Sequence, residues 1–194
     1  QLTDFEPYKM LCEVNNRLQD EFEAEGVRFD TINVGGGLGI DYGNPDENPI
    51  ADFKTFFDVF KNNMKLRDGQ QLHFELGRSL VAQCGSLITR VTYVKKSVTK
   101  QFAIVDAGMS DLIRPALYQA HHKIQNISNP EGESEKYDVV GPICESSDTF
   151  GVDEQLSAVK RGDLLAIRSA GAYGEIMASH YNLRPFAPAV FDGE

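Results

Sequence analysis

The sequence lacks the marks of several classes of protein. No apolar run approaches the length of about 18 residues that a transmembrane helix needs, so no membrane span is predicted. Basic residues are few, 19 against 29 acidic ones, and the net charge of −10 argues against nucleic acid or an anionic membrane as a partner. The three cysteines are odd in number and far apart, which predicts neither a disulfide framework nor a zinc site and fits the reducing cytoplasm.

The amino terminus also lacks two common signals. It has no signal-peptide character, and it starts with Gln1 rather than with an initiator methionine. We therefore expect a processed or cut piece of a longer protein.

A glycine-rich loop is the most informative local feature that is present. It follows a short β-type run, Thr31 to Val34, and four of the five residues from Gly35 to Gly39 are glycine, which lets a ligand approach the backbone amides. Neither common nucleotide motif fits, because no Gly-Lys-Ser/Thr follows and because Ile40 and Tyr42 stand where the dinucleotide pattern needs glycine. The loop is either a cradle for some phosphate group or a tight turn between a strand and a helix.

The first part of the chain alternates helices with short strands, which indicates βα units and a parallel sheet. Apolar residues recur at helical spacing from Tyr8 to Phe22 and again from Phe53 to Met64. The strands expected between and after these helices are Thr31 to Val34 and Gln71 to Leu76.

After about residue 86 the pattern changes to short β-type runs, and we expect this half to be antiparallel β. The expected strands are Leu87 to Val94, Gln101 to Val105, Tyr137 to Val140 and Leu164 to Arg168. The segment from Asn126 to Lys136 is expected to be a polar loop, and a helix is expected around Gly174 to His180.

Polar residues gather at the carboxyl end of the second strand. Alternation places His73 and Glu75 on one face, and Glu75, Gly77 and Arg78 lie where functional side chains would lie if the strand belonged to a βα barrel. The alternative is a Glu–Arg salt bridge at the end of a strand.

A second candidate group follows the strand that ends at Val105. Arg114 could bind a carboxylate through two hydrogen bonds, and Tyr118, four residues later, could add a hydroxyl. By itself, Arg114 is more typical of a surface ion pair. The adjacent His121 and His122 are expected to be solvated rather than to bind a metal.

A third group lies in turn-rich segments near the carboxyl terminus. Cys144 stands next to Glu145, whose carboxylate would raise the pKa of the thiol, and this suits a proton donor better than a thiolate nucleophile. The alternative is a small core cysteine. Tyr173, between Gly171 and Gly174, is either a ligand contact or a packed aromatic in a turn.

Taken together and in this order, the segments resemble the fold-type III pyridoxal-phosphate-dependent decarboxylases, and among them the diaminopimelate decarboxylase family. The resemblance runs from about Thr31 to Pro185. The motifs that carry it are Gly-Gly-Gly at 35–37, Glu-Leu-Gly-Arg at 75–78, Asp-Ala-Gly-Met at 106–109, Arg-Pro-Ala-Leu-Tyr at 114–118, Cys-Glu-Ser-x-Asp at 144–148 and Gly-Ala-Tyr-Gly at 171–174.

The resemblance implies a fold, a cofactor and a reaction. Residues 1–85 would be the last units of a (β/α)8 barrel that binds pyridoxal 5′-phosphate, and residues 86–194 an antiparallel β-barrel or sandwich-like domain. The reaction would convert meso-2,6-diaminopimelate to L-lysine and CO₂. The Cys-Glu pair of this family comes from the other subunit, so a homodimer with a shared active site is implied.

The resemblance also implies roles for single residues. The cofactor would be bound by Gly35, Gly36, Gly37, Glu75, Gly77, Arg78 and Tyr173. The substrate would be bound by Arg78, Arg114, Tyr118, Glu145 and Tyr173. Cys144 would return a proton to the substrate carbon after CO₂ has left, and Glu145 would bind the distal amino group.

The chain departs from the family pattern in two places. Leu76 replaces the proline of the usual Glu-Pro-Gly-Arg, and no Tyr-Ala-x-Lys segment supplies the lysine that binds the cofactor covalently. We therefore expect the carboxyl-terminal half of a decarboxylase that is inactive by itself. The alternatives are a related decarboxylase of ornithine, arginine or carboxynorspermidine, and a non-catalytic regulator on the same fold.

Overall fold

The computed structural model describes residues 1–191, and the chain divides into two compact units. The first unit is Gln1–Asp41 together with Asn48–Leu80, and the second is residues 42–47 together with the chain from residue 81 onward. No helix in the described residues is long and apolar enough to cross a membrane.

The first unit contains two long helices and a pair of parallel strands. Its elements are α1 (Glu6–Ala24), β1 (Thr31–Asn33), α2 (Phe53–Asn63) and β2 (Gln71–His73), and α3 (Arg78–Val81) follows at its end. Thr31 pairs with Gln71 and Asn33 with His73 in parallel register, which confirms the parallel pairing expected from the alternation of helices and strands.

Aromatic side chains on the apolar stripes of the two helices form the core of the first unit. Tyr8 of α1 packs edge-on against Phe56 of α2, with the ring centroids 4.9 Å apart. Phe60 and Phe74 extend this cluster, and α2 begins where Asp52 accepts a hydrogen bond of 2.9 Å from the Thr55 N–H. These contacts explain why the helical spacing of apolar residues predicted both helices correctly.

The second unit is a six-stranded mixed sheet. Its strands are β3 (Leu87–Lys96), β4 (Gln101–Val105), β5 (Ile124–Asn126), β6 (Ser134–Val140), β7 (Thr149–Ser157) and β8 (Leu164–Ile167), and their order across the sheet is β5-β8-β3-β4-β6-β7. The strands at the two ends, β5 and β7, contact each other, so the sheet is nearly closed into a barrel. Val91, Val105, Val139, Leu165 and Ile167 are among the apolar side chains that fill its interior.

The expectation of a purely antiparallel sheet was wrong at one pairing. β4 and β6 run parallel, with Phe102 opposite Asp138 and Ile104 opposite Val140. A parallel pair requires a long crossover, and the residues between Val105 and Ser134 provide one that includes α4 (Arg114–Tyr118) and β5.

Three local expectations were also wrong. β5 and β7 were not expected as strands, and the polar loop expected from Asn126 to Lys136 begins within β5 and ends within β6. Both missed strands are rich in polar residues and are held by tertiary pairing. The expected helix near Gly174 is instead two short 3-10 turns, Glu175–Met177 and Tyr181–Leu183, because the Ser179 N–H donates to the Ser110 carbonyl rather than to its own helix.

The two adjacent histidines have different surroundings, so the expectation that both are solvated was wrong for His122. That side chain is fully buried, its Nδ1 lies 2.9 Å from the Arg168 carbonyl oxygen, and its ring packs edge-on against Tyr42. His121 is half exposed, with Nδ1 3.7 Å from Oε1 of Glu154. Among residues 1–191, no group of three or more His, Cys, Asp or Glu side chains is arranged to hold a metal ion.

Candidate functional site

The glycine loop of the first unit begins where β1 ends and contacts the segment that follows β2. Gly35 and Gly37 have φ values of +70° and +101°, which glycine adopts without strain. A Cβ on Gly36 would lie only 2.2 Å from the Glu75 carbonyl oxygen, so glycine is required there for the close approach of the two segments. The Glu75 N–H donates to the Gly35 carbonyl at 2.7 Å and fixes this approach.

Two amides of the loop point to an anion site. The Gly35 N–H donates to Asn33 Oδ1 at 2.9 Å and is therefore occupied. Within the described part of the chain, the N–H groups of Gly36 and Gly37 donate to no acceptor. Free, adjacent amides after a strand are a suitable cradle for a phosphate group.

Asn33 connects the glycine loop to the candidate carboxylate of the next strand. Its Nδ2 donates to Oε1 of Glu75 at 2.9 Å, while its Oδ1 accepts from the loop. The Glu75 side chain is exposed just after β2, and the strand ends at His73 rather than at Leu76 as expected. Sequence reasoning missed Asn33, whose only signal was its place directly before the glycines.

The Glu-Leu-Gly-Arg segment forms a turn between β2 and α3 although it lacks the proline of the Glu-Pro-Gly-Arg pattern. Leu76 is buried, and the Gly77 N–H donates to the Glu75 carbonyl at 3.2 Å. Arg78 begins α3 and is half buried. A buried leucine thus occupies the position of the proline, and the backbone still turns.

Arg114 is the most informative residue of the second unit. Only 5% of it is exposed, yet no carboxylate forms an ion pair with it in the described residues, and its Nε has no partner there. Its Nη1 donates to the Tyr42 hydroxyl at 2.9 Å, and its guanidinium lies 5.0 Å from the Tyr42 ring and 6.0 Å from the Tyr173 ring. A buried cation without a counter-ion is suited to bind an anionic ligand.

Two tyrosines near Arg114 have exposed side chains. Tyr118 ends α4, one helical turn after Arg114, and Tyr173 has φ of +59° between close-packed glycines. A Cβ on Gly171 would lie 2.1 Å from the Val81 carbonyl oxygen, so this segment depends on glycine. Tyr42, which sequence reasoning did not single out, contacts Arg114 and is the residue that completes this group.

The Cys-Glu pair lies in the loop between β6 and β7. Cys144 and Glu145 are both exposed, and the Tyr181 hydroxyl donates to Oε1 of Glu145. This hydrogen bond to a carboxylate raises the pKa of Tyr181 above its usual value. Tyr181 is a third residue that the sequence did not point to, because no motif connects it with Glu145.

A network of acidic residues supports the loops of the second unit. Asp106 accepts from the Thr89 hydroxyl at 2.7 Å and from the Arg90 N–H at 2.8 Å. Burial opposes ionisation of this carboxyl, but the two hydrogen bonds outweigh burial and lower the pKa of Asp106. Asp148 accepts two backbone N–H groups in a more buried place, and there burial raises its pKa.

Comparisons with known proteins agree with this arrangement. A family model described as the pyridoxal-dependent decarboxylase C-terminal sheet domain matches residues 10–171. The diaminopimelate decarboxylase of Bacteroides thetaiotaomicron is 60% identical over 184 residues, which are 95% of this chain and 47% of that protein. A crystal structure of the Helicobacter pylori diaminopimelate decarboxylase with L-lysine superposes with a TM-score of 0.84 at 42% identity, covering 96% of this chain and 45% of that one.

A more distant structure shares only the fold. The lysine/ornithine decarboxylase of Vibrio vulnificus superposes with a TM-score of 0.83 at 20% identity. The chain spans about half the length of the curated relatives that it matches. Because the family match extends over most of the residues, the chain belongs to the pyridoxal-dependent decarboxylase family and contains its carboxyl-terminal sheet domain.

Proposed function

We propose that this chain supplies cofactor- and substrate-binding residues of a decarboxylase that converts meso-2,6-diaminopimelate to L-lysine and CO₂. Relatives named diaminopimelate decarboxylase are 40–60% identical to nearly all of the chain. The observation that carries the proposal is Arg114, a buried guanidinium with no ion-pair partner among residues 1–191. The distal carboxylate of meso-2,6-diaminopimelate, which is not lost as CO₂, would neutralise this charge.

The first unit fits the cofactor of the family. The free N–H groups of Gly36 and Gly37 would bind the phosphate of pyridoxal phosphate, and Gly35 would shape the loop. Glu75, oriented by Asn33, would pair with the pyridine nitrogen, and Gly77, Arg78 and Tyr173 would complete the cofactor contacts. The bound cofactor supplies the electron sink that loss of CO₂ from an α-amino acid requires. We propose that this unit is part of a (β/α)8 barrel.

The second unit would bind and orient the substrate. Arg114 would hold a substrate carboxylate through two hydrogen bonds, and Tyr118 would add its hydroxyl from the next turn of α4. Arg78, in the first unit, is proposed as a further substrate-binding residue. Glu145 would bind the distal ammonium group, which distinguishes a diamino acid from a simple one. A Glu–ammonium contact and an Arg–carboxylate contact at the distal end select a substrate that carries both charges there, and ornithine and arginine have no distal carboxylate.

Cys144 would move a proton. Cys144 is exposed in the loop between β6 and β7, where its thiol can reach a ligand. Cys144 would donate its proton to the substrate carbon after CO₂ has left. We propose that the pair acts in the active site of a second subunit, so that the working enzyme is a homodimer.

The chain alone is proposed to be inactive. It has no Tyr-Ala-x-Lys segment to bind the cofactor covalently. Purified chain mixed with pyridoxal phosphate and meso-diaminopimelate should release no CO₂. Steady release of CO₂ by the chain itself would contradict this part of the proposal.

A chimera provides the test of the reaction. In it, this chain replaces the matching segment of the 60% identical B. thetaiotaomicron enzyme. We expect L-lysine from meso-diaminopimelate and no product from ornithine, arginine or carboxynorspermidine. Faster decarboxylation of one of those three would favour the related decarboxylases, and a folded chimera that binds cofactor but turns over none of the four would favour the regulator.

A further inference from the structure

Asp148 joins two loops of the second unit through its carboxylate. The side chain is buried, with 3% of the residue exposed. Oδ1 accepts from the Met109 N–H at 2.6 Å, and Oδ2 accepts from the Ile143 N–H at 2.7 Å. Met109 belongs to the Asp-Ala-Gly-Met loop after β4, whereas Ile143 directly precedes Cys144. One carboxylate thus holds both segments.

The surroundings of this carboxylate leave no spare room. A Cβ on Gly141 would lie 2.3 Å from Oδ2 of Asp148, and a Cβ on Gly108 would lie 2.9 Å from Cδ1 of Ile143. The Gly141 N–H also donates to the Asp148 carbonyl at 2.9 Å, which closes the base of the loop. The two glycines are therefore part of the same fitted arrangement.

The charges facing Asp148 do not account for its burial. Burial raises the pKa of Asp148, Arg184 opposes this rise, and Asp111 adds to it. Arg184 is 3.8 Å from Asp111, and within residues 1–191 no basic side chain forms an ion pair with Asp148 itself. A buried carboxylate that forms no ion pair but accepts two backbone N–H groups is retained for those two bonds.

We propose that Asp148 is a positioning residue, whose carboxylate clamps the 143–148 loop to Met109 and so sets where Cys144 and Glu145 are presented. The roles of Cys144 and Glu145 rest on the proposed function, whereas the clamp itself does not. Asp148 is not proposed to contact the substrate; its only proposed role is to hold the 143–148 loop in place.

The substitution Asp148→Asn separates this role from a general need for polarity. An asparagine side chain has one acceptor oxygen, so its NH₂ group would face one of the two N–H donors and that bond would be lost. Asp111→Asn is the matched control, because Asp111 accepts a single N–H, that of Gly108 at 2.8 Å, and an asparagine oxygen can replace it. The control also removes the 3.8 Å ion pair between Asp111 and Arg184, which does not join the 143–148 loop to Met109.

Hydrogen–deuterium exchange on the full chain tests the clamp without any need for catalysis. In D148N, we expect exchange in peptides covering 106–112 and 141–148 to rise by at least about tenfold, since a hydrogen bond to a buried charge is lost. In D148N, exchange in β3 and β8 should stay within about twofold of the unsubstituted chain. In D111N, exchange in the 141–148 peptides should also stay within about twofold. Alkylation of Cys144, measured relative to the exposed Cys84 in the same sample, should rise by about threefold or more in D148N only.

Two results would overturn the proposal. If D148N leaves exchange at 141–148 unchanged, the carboxylate does not hold the loop. If D148N raises exchange in β3 and β8 as much as in the loop, Asp148 is a general stability contact. An inactive chimera would count against the proposed function alone, because neither the exchange nor the alkylation measurement depends on decarboxylation.

Discussion

Replacing Arg114 with methionine should affect stability and substrate binding in opposite directions. Methionine has a similar length and no charge, so the substitution removes a buried cation while it keeps much of the packing. If Arg114 is held for a ligand, the ligand-free protein gains stability when the charge is removed. If Arg114 is a structural residue, the protein loses stability.

The structure gives the expected magnitude. Burying one ion costs roughly 3–4 kcal/mol of desolvation free energy. Against this, Arg114 has one hydrogen bond to the Tyr42 hydroxyl, at about 1 kcal/mol, and ring contacts with Tyr42 and Tyr173 that add about 1–2 kcal/mol. The balance favours methionine by about 1 kcal/mol, which raises Tm by about 2–4 °C for a chain of this size.

Thermal unfolding of the chain, followed by circular dichroism, measures the first effect, and Arg168→Met is the control. Arg168 forms an ion pair of 2.8 Å with Asp46 and donates to Gln125 at 2.6 Å, so its replacement leaves partners behind and should lower Tm. In the chimera, Arg114→Met should raise KM for meso-diaminopimelate by about 100-fold, since a charge-assisted pair of hydrogen bonds is lost. A fall in Tm for R114M as large as that for R168M, with KM unchanged, would show that Arg114 is a structural residue and does not bind the substrate.

The remaining predictions concern the glycine loop, the Cys-Glu pair and the dependence on pH. Gly36→Ala should lower Tm by several degrees, because its Cβ would meet the Glu75 carbonyl at 2.2 Å and overpacking of this kind costs about 1–3 kcal/mol; a Tm equal to that of the unsubstituted chain would show that the two segments are not in contact. Cys144→Ala in the chimera should lower kcat by about 10²-fold or more with little change in KM, and an unchanged kcat would exclude the thiol as the proton donor. The pKa of Asp106 is lowered in the folded state, so its hydrogen bonds stabilise the fold above the unfolded pKa, and this contribution is lost as pH falls through the lowered folded value. Asp106→Asn should therefore lower Tm at pH 7 and have a smaller effect in strong acid, and an equal loss at both pH values would contradict the assignment.

Local periodicity predicted the parts of the fold that depend on one face of a helix or strand. The stripe from Tyr8 to Phe22 and the one from Phe53 to Met64 each packs an apolar face, and each became a helix near the expected bounds. β5 could not be found this way, because its partner β8 lies far along the chain. β7 pairs with the preceding strand β6, but its many polar residues hide the strand pattern. The parallel pairing of β4 with β6, like that of β5 with β8, joins strands far apart along the chain.

The sequence pointed to candidate site residues that belong to a motif, but not to the contacts that hold those residues in place. The motifs pointed to Glu75, Arg114 and Cys144, and the structure adds the residues that hold them. Asn33 bridges the loop and Glu75 through an amide, and Asp148 holds the Cys-Glu loop through two backbone bonds. The Asn33–Glu75 and Asp148–Met109 contacts join segments tens of residues apart. The Cys-Glu-Ser-x-Asp motif contains Asp148 but does not indicate that it binds Met109.

The rate at which the chimera forms L-lysine from meso-diaminopimelate measures directly whether this chain supplies the substrate-binding residues of a decarboxylase. If this chain supplies the substrate-binding residues and the proton donor, kcat/KM of the chimera should be within about tenfold of the B. thetaiotaomicron enzyme, because a tenfold difference corresponds to only about 1.4 kcal/mol of transition-state stabilisation. The same chimera with Arg114→Met should lose nearly all of that activity. A chimera that folds and binds pyridoxal phosphate but forms no lysine, or one whose activity is unaffected by Arg114→Met, would contradict the account.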